Sequence, residues 1–326
     1  MRRFSSACVP LFVRVLRARG VRVRSLLMTH GLPEGVEREE EAALPFDALD
    51  AFANDCARLA GDEHFGLHVG ASLGRGTFGL VEFAVRTTPT LRGAIDQLGR
   101  YKALLNGWAT IELEEGRTLA RLIHRVDGHR GAFGRHANEL TLAVLHRRMR
   151  ELTGGAVTVN RVHFAHGPPR DVAPLVQFFG TRALIFDAGE NALTFPRAQL
   201  ELRNVEADEA LARVLDRQAE LQAAQRPAVN DVVAQVRASI RAALRTQLPT
   251  VRGVAKTLGL STRDLQRRLA AAETTFLLEL DAVRASLAAL HLEQPNGSLA
   301  EVAYALRYSD VRSLTRAQKR WARAKA

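Results

Sequence analysis

The chain has 326 residues, 47% of them hydrophobic and only 6% aromatic, enough for two domains of ordinary size with cores built mainly from Leu, Val and Ala. No uninterrupted apolar stretch approaches the roughly 18 residues that span a bilayer, so no membrane partner is expected. The two cysteines, Cys8 and Cys56, match neither a disulfide framework nor a metal-binding spacing, and both are expected as reduced thiols in a cytoplasmic protein. The net charge of +11 points to a polyanionic partner, and its distribution is uneven. From Pro227 onward 16 basic residues face 8 acidic ones, whereas Ser25 to Arg226 carries 23 against 27.

In chain order, the start "MRRFSSACVPLFVRVLRARG" is interrupted by Arg14 and lacks a small-residue cleavage site, so a signal peptide is not expected. It predicts a helix ending near Gly20 and a second short one after it. "PFDALDAFANDCARLAG" places Phe46, Leu49, Phe52, Cys56 and Leu59 at helical spacing. The glycine-rich Phe65–Val85 region predicts strands or strand-like turns mixed with helix. "LRGAIDQLGRYKALLNG" returns to helical spacing, and "WATIELEEGRTLARLIHRV" reads as a β-hairpin turning at Glu-Glu-Gly-Arg. "NELTLAVLHRRMRELTG" is an amphipathic helix whose basic "HRRMR" is expected on a solvated face. "VTVNRVHFAHG" and "ALIFDAGENALTFPR" supply further strands, and a helix follows from about Asp208 to Gln225. The expectation is an α+β domain of mixed helices and a short-stranded sheet over residues 1–225. An all-α domain follows over 226–326, where Val232, Val233, Val236, Ile240, Ala243 and Leu244 share one helical face.

"LPTVRGVAKTLGLSTRDLQRRLAA" divides at Gly259-Leu260-Ser261. Thr250 and Ser261 are candidate N-caps, and Val251, Val254, Ala255 and Leu258 face inward. Leu265 and Leu269 pack back, which turns Arg263, Gln266 and Arg267 outward. This is the pattern of a helix-turn-helix, whose second helix enters a DNA major groove, where Arg suits guanine and Gln suits adenine. The pattern recurs: Val302, Ala303, Leu306 and Ser309 repeat Val254, Ala255, Leu258 and Ser261 at an offset of 48. Leu314 and Arg316 follow Leu265 and Arg267 at 49, after one inserted residue. Between the copies, "TFLLELDAVRASLAALHLEQP" predicts a linking helix up to Pro295, long enough to hold two recognition helices about one DNA turn apart.

These residues, "VAKTLGLSTRDLQRRL", "VRASLAALHL" and "SLAEVAYALRYSD" with "LTRAQKRW", resemble the DNA-binding domain of the AraC/XylS family of bacterial transcription regulators. "FGLHVGASL", "GTFGLVEFAVRTTPTLRGAIDQLGRY" and "ALIFDAGENALTF" resemble the effector-binding and dimerisation domain of a branch of that family without the jelly-roll arabinose pocket. The resemblance implies helix-turn-helix units at about 250–271 and 298–320, gripping two adjacent major grooves of double-stranded DNA. It assigns base reading to Arg263, Gln266 and Arg267, with Thr262 opening that helix, and to Arg312, Ser313 and Arg316. Lys319, Arg268 and Arg320 go to phosphates, which position rather than specify. A small organic effector, a homodimer and recruitment of RNA polymerase by an activator are implied in the same way. The sequence departs from the family pattern at Arg307 and Glu273, which stand for Gly, at Leu314, which stands for an aromatic, and at Gln318, which stands for Phe.

No catalytic constellation can be proposed from spacing. His124, His129, His136, His163 and His166 lack a ligand pattern, so no metal site is expected, nor any cofactor. The glycines around 74–79 lack the strand and helix order of a phosphate loop. Tyr101, Trp108 and Phe133 are candidate pocket residues, with core the expectation. Two rivals stay open: an enzyme domain with a DNA-binding tail, and a protein that titrates related regulators after losing specific DNA binding. The departures in the second unit motivate the latter.

Overall fold

The fold is described from a computed structural model, covering residues 3–39, 42–105, 109–126, 133–225, 232–244, 246–292 and 298–323. The chain divides into two compact units, Met1–Leu113 with Arg121–Pro227, and Ala228–Ala326 with the hairpin segment Glu114–Ala120. The boundary expected near residue 226 falls outside the described residues.

In the first unit, β1 (Arg3–Ser6) pairs antiparallel with β2 (Ala42–Pro45), a ribbon the sequence did not announce. Between them run α1 (Cys8–Ala18), which buries Val9, Phe12, Val13 and Leu16, and α2 (Arg24–Thr29). α3 (Phe46–Ala60) buries Leu49, Phe52 and Cys56, but Leu59 faces solvent at 43% exposure; the Phe46 side chain lies outside the described residues. Next come α4 (Phe65–Ser72), α5 (Gly79–Arg86) and α6 (Leu91–Leu105). The hairpin is β3 (Ala109–Glu115) with β4 (Leu119–Val126), closed by the Gly116 N–H on the Leu119 carbonyl at 2.8 Å. α7 (Arg135–Leu152), β5 (Arg161–His163), α8 (Ala173–Phe179), β6 (Leu184–Ile185), β7 (Asn191–Pro196) and α9 (Glu209–Gln225) complete the unit. The five-stranded sheet has the order β3-β4-β7-β5-β6, with β5 antiparallel to β7 and parallel to β6.

Two expectations require correction. The Phe65–Val85 region holds no strand; it forms α4 and α5. Two of its glycines, Gly66 and Gly70, serve close packing, whereas Gly76 and Gly79 take positive φ at +82° and +53°. A Cβ on Gly66 would lie 1.9 Å from the His136 carbonyl oxygen, and one on Gly70 2.7 Å from that of Leu140, so α4 seats directly on the backbone of α7. "HRRMR" is not a solvated face either. His146 and Met149 are buried, and Arg147 and Arg148 turn onto their own fold, while Arg150 stays exposed. Arg147 donates to the Ala71 carbonyl and to Glu151, and Arg148 donates to the Gly74 carbonyl (2.7 Å) and pairs with Glu82 (3.2 Å) and Glu151 (2.7 Å). Arg86, nearly fully buried, pairs with Glu82, Glu151 and Glu206. Buried charges persist where each finds such partners.

A neutral polar seam joins α7 to the sheet: Asn191 donates to the Asn138 side-chain oxygen (3.0 Å) and accepts the Ala165 N–H (2.9 Å). His124 on β4 lies beside Asn191, 3.4 Å from its amide. Burial, reinforced by the Lys102 charge, pushes the His124 imidazole down to about 4 from 6.5. His146, against the rings of Phe178 and Phe179, is likewise pushed to about 4 by burial and Arg150.

The second unit is helical: α10 (Val232–Leu244), α11 (Val251–Thr257), α12 (Thr262–Ala271), α13 (Phe276–Leu292), α14 (Leu299–Ala305) and α15 (Val311–Arg323). One core gathers Val232, Val233, Val236 and Ile240 with Val254, Leu265, Leu269 and α13's Leu280 and Val283. A second gathers Val302, Ala303, Leu306 and Leu314 against Ala288, and Leu287 packs against both. Glu279 of α13 pairs with Arg237 of α10. Among the described residues no helix is long and apolar enough to cross a membrane.

Gly66→Ala should destabilise the first unit by about 3 kcal/mol, because the added methyl meets backbone that cannot yield; urea unfolding followed by circular dichroism measures it. For the two histidines, the unfolded chain binds more protons than the folded one between pH 4 and 6.5. Stability must therefore fall as pH drops from 6.5 towards 4, by up to about 3 kcal/mol for each. Unfolding at stepped pH should show this slope, and His124→Gln or His146→Gln should flatten it.

Candidate nucleic-acid interface

α11 and α12 form a helix pair whose turn is specified residue by residue. Thr250 Oγ1 accepts the Gly253 N–H at 3.0 Å and opens α11. Gly259 takes φ +66°, the left-handed conformation that only glycine adopts without strain, and the Leu260 N–H returns to the Ala255 carbonyl at 2.9 Å. Ser261 Oγ then accepts the Asp264 N–H (3.1 Å), and its hydroxyl donates to the Asp264 carboxylate (2.9 Å). That hydrogen bond and Arg267 hold Asp264 below the usual carboxylate range. With Leu265 and Leu269 buried, Thr262, Arg263, Gln266 and Arg267 are exposed and Arg268 is half-buried. Arg267 is tethered by Asp264 at 3.1 Å, leaving its side chain 73% exposed.

α14 and α15 repeat this build. Ser298 Oγ accepts the Glu301 N–H at 3.1 Å, and the Tyr308 N–H returns to the Ala303 carbonyl at 2.9 Å, as Leu260 does to Ala255. Arg307 sits where Gly259 sits, at φ +59°. It is held there by its own side chain: Nε donates to the Leu244 carbonyl (3.1 Å) and the guanidinium lies over Tyr304. From below, Arg284 of α13 donates to the Arg307 carbonyl (3.3 Å) and stacks on Tyr308 at 4.4 Å.

The cap differs from expectation. Ser309 is not the counterpart of Ser261; Asp310 is, accepting the Ser313 N–H at 2.7 Å, the contact Ser261 makes with Asp264. Ser309 is therefore the inserted residue, and the offset changes from 48 to 49 between Tyr308 and Asp310. Beyond it Leu314 and Ala317 are buried, Arg312, Arg316 and Lys319 are exposed, and Ser313 is half-buried. Ser313 Oγ tethers Arg316 at 3.2 Å, as Asp264 tethers Arg267. Gln318, in the place of the buried Leu269, stays half-exposed, so its amide keeps access to water. Arg320 is set apart from the other basic residues: its fork closes on Asp281 of α13 at 2.7–3.0 Å, which braces α15. Neither Asp310 nor Asp281 was singled out from sequence. An Asp three residues before Ser313 was a legible cap signal; a pairing across 39 residues was not.

In the first unit, Tyr101 is buried and hydrogen-bonds Asp216 of α9; burial and that carboxylate push its hydroxyl up to about 12. Phe133 is core and also lines a cavity; Trp108 lies outside the described residues, as does His129. Among the described residues no group of three or more His, Cys, Asp or Glu side chains could hold a metal ion.

A family profile described as the arabinose-binding domain of AraC transcription regulator, N-terminal, matches residues 20–204, more than half of the chain. The chain belongs to the AraC family of transcription regulators. Its relatives agree. The ornithine utilization regulator of Pseudomonas aeruginosa is 26% identical over 81% of this chain and 77% of its own length. The HTH-type transcriptional regulator VirS of Mycobacterium tuberculosis is 25% identical over 95% of this chain and 91% of its own. The crystal structure of transcriptional regulator CdpR from Pseudomonas aeruginosa aligns at a TM-score of 0.44 and 18% identity, covering 92% of this chain and 93% of that one, a likeness too slight to carry an argument. An AraC-family chain of this kind is a DNA-binding transcription regulator.

The two non-glycine left-handed positions among the described residues of the second unit of this AraC-family chain differ in support. Glu273, at φ +56°, is exposed between α12 and α13, whereas Arg307 is held by hydrogen bonding. Glu273→Gly should stabilise the chain by about 1 kcal/mol, and Arg307→Gly should gain less because it also loses the bond to Leu244. Paired urea denaturation curves give both numbers.

Proposed function

We propose that this protein is a sequence-specific, effector-responsive transcription regulator whose α11–α12 and α14–α15 pairs are two helix-turn-helix units. The observation that carries this reading is the shared build of the pairs. Each has a capped first helix, a left-handed turn residue, a capped second helix, and one arginine tethered three residues back on an exposed face.

Arg263, Gln266 and Arg267 read bases in one major groove; Arg312, Ser313 and Arg316 read them in the next. Thr262 contacts DNA at the start of α12, where the helix N-terminus favours phosphate. Arg268 and Lys319 contact phosphates. Arg320 joins them from its brace on Asp281, with its side chain 59% exposed. α13, with 17 residues, is about 26 Å long, a spacer suited to adjacent grooves. Residues 226–326 form the DNA-binding domain and residues 1–225 the effector-binding and dimerisation domain. A small organic effector shifts the protein toward a DNA-competent state. Homodimerisation, activation through RNA polymerase and a cytoplasmic location are carried over from the family.

The test is fluorescence anisotropy of the full-length protein on fragments from upstream of its own and adjacent genes, across a salt series. Arg267→Ala and Arg316→Ala should each cost about 1–3 kcal/mol at one preferred sequence. Loss from Arg267→Ala alone would reduce the second unit to a positioning clamp. The second reading, a titrating partner of related regulators, is favoured by Gln318 standing where Leu269 stands in the first pair. Weak, steeply salt-dependent and sequence-indifferent binding would establish it and refute site-specific regulation.

A further inference from the structure

The two helix pairs close their turns with the same two residue types in exchanged places. At the start of α12, Ser261 caps the helix and Asp264, three residues on, holds Arg267 at 3.1 Å. At the start of α15, Asp310 caps the helix and Ser313, three residues on, holds Arg316 at 3.2 Å. One exposed arginine is therefore tethered by a carboxylate and the other by a neutral hydroxyl.

In the first pair both oxygens of the carboxylate are engaged. Asp264 Oδ2 accepts the Ser261 hydroxyl at 2.9 Å, and Oδ1 accepts from a terminal nitrogen of Arg267. The hydroxyl and the guanidinium hold Asp264 below the usual carboxylate range, so it stays charged. In the second pair the carboxylate is occupied by the cap: Asp310 accepts the Ser313 N–H at 2.7 Å and the Ser309 hydroxyl at 3.0 Å. Arg316 is left with the uncharged Ser313 Oγ, which also lies 3.3 Å from Ser309 Oγ.

A guanidinium carries several N–H donors in a planar fork, and the tether to Asp264 occupies one of them. A parallel pair of N–H groups remains for the O6 and N7 of guanine, while the carboxylate fixes the direction of a long side chain. An exposed ion pair of this kind adds little to stability. Its leverage lies in direction and charge. Asp264 is 47% exposed and Arg267 73%, so carboxylate and arginine stand at the same surface. Where Arg267 finds no guanine, the carboxylate still meets the DNA phosphates and repels them. The pair is neutral as a whole, whereas Arg316 keeps its full charge for any phosphate or base within reach.

We propose that Asp264 is a specificity-determining positioning residue: it holds Arg267 on one guanine and disfavours sequences without it, while α15, with Ser313 in that place, accepts base changes opposite Arg316. This rests on the reading of the two pairs as helix-turn-helix units.

Selection by the full-length protein from random double-stranded DNA yields a bound site. Fluorescence anisotropy on its single-base-pair variants, and on a scrambled duplex, tests the proposal. Arg267→Ala and Arg316→Ala mark the base pair that each arginine reads, as the position whose preference each abolishes. The unaltered protein should prefer guanine by about tenfold or more at the Arg267 position and by only about threefold at the Arg316 position. Asp264→Asn keeps an acceptor for Ser261 and loses the charge. It should reduce the first preference to about threefold and tighten binding to the scrambled duplex. Asp264→Glu, which restores the carboxylate, should retain the preference. A guanine preference that survives Asp264→Asn, an equal loss of affinity for every duplex, or equal stringency at the two positions would each overturn the proposal. Failure of the unaltered protein to select any sequence would instead refute site-specific regulation, and the proposal with it.

Discussion

The arrangement of the second unit depends on one constraint, the sharing of α13 between two hydrophobic clusters. Leu280 and Val283 close the core of the first helix pair, Ala288 closes that of the second, and Leu287 packs against both. Neither pair could bury its apolar stripe alone: each offers two short helices, and α11 and α14 have seven residues apiece. A single helix that serves as wall to both fixes their separation without any contact between the pairs being required. Polar contacts then set the details. Glu279 with Arg237 locks α13 to α10, Asp281 with Arg320 locks it to α15, and Arg284 supports the turn at Arg307. Three charged residues of α13 within six positions thus face three different neighbours.

The first unit is governed by a different restriction, the close seating of α4 on α7. Removing the side chains at Gly66 and Gly70 lets the two backbones meet, and the arginines that follow on α7 are drawn inward to carbonyls and carboxylates of neighbouring elements. The buried polar content of this unit is high, with Glu82, Arg86, Asn138, Glu139 and Asn191 all inside. Such groups are tolerable only where every one is partnered, and they fix a single packing arrangement more strictly than hydrocarbon does.

Much of this was legible in the sequence, for identifiable reasons. Helices with a single apolar stripe, such as α1, α10 and α12, announce themselves by spacing, and the hairpin by alternation around Glu-Glu-Gly-Arg. The caps at Thr250 and Ser261 and the turn at Gly259 are local chemistry, decided within a few residues. What misled was glycine and arginine. Gly66 and Gly70 read as turn signals because a single sequence does not distinguish a glycine needed for its backbone freedom from one needed for its small size. "HRRMR" read as a solvated face because nothing local reveals acceptors at Ala71, Gly74 and Glu82. The β1–β2 ribbon, with four-residue strands nearly forty positions apart, carries no periodic signal at all. The repeat was visible, but where its extra residue falls was not: Ser309 and Asp310 are both competent caps, and only the backbone geometry separates them. The cavity lined by Phe133 was out of reach for the same reason as the arginine network, since its wall is assembled from several elements.

The shared wall has a consequence for how the second unit comes apart. Because Leu287 belongs to both clusters, loosening α14 and α15 exposes part of the surface that supports α11 and α12, and the reverse. The shared residue couples the two pairs, so that opening of one weakens the support of the other. That linkage lets the second copy keep its shape although it carries Arg307 at a glycine's position and Gln318 at a leucine's.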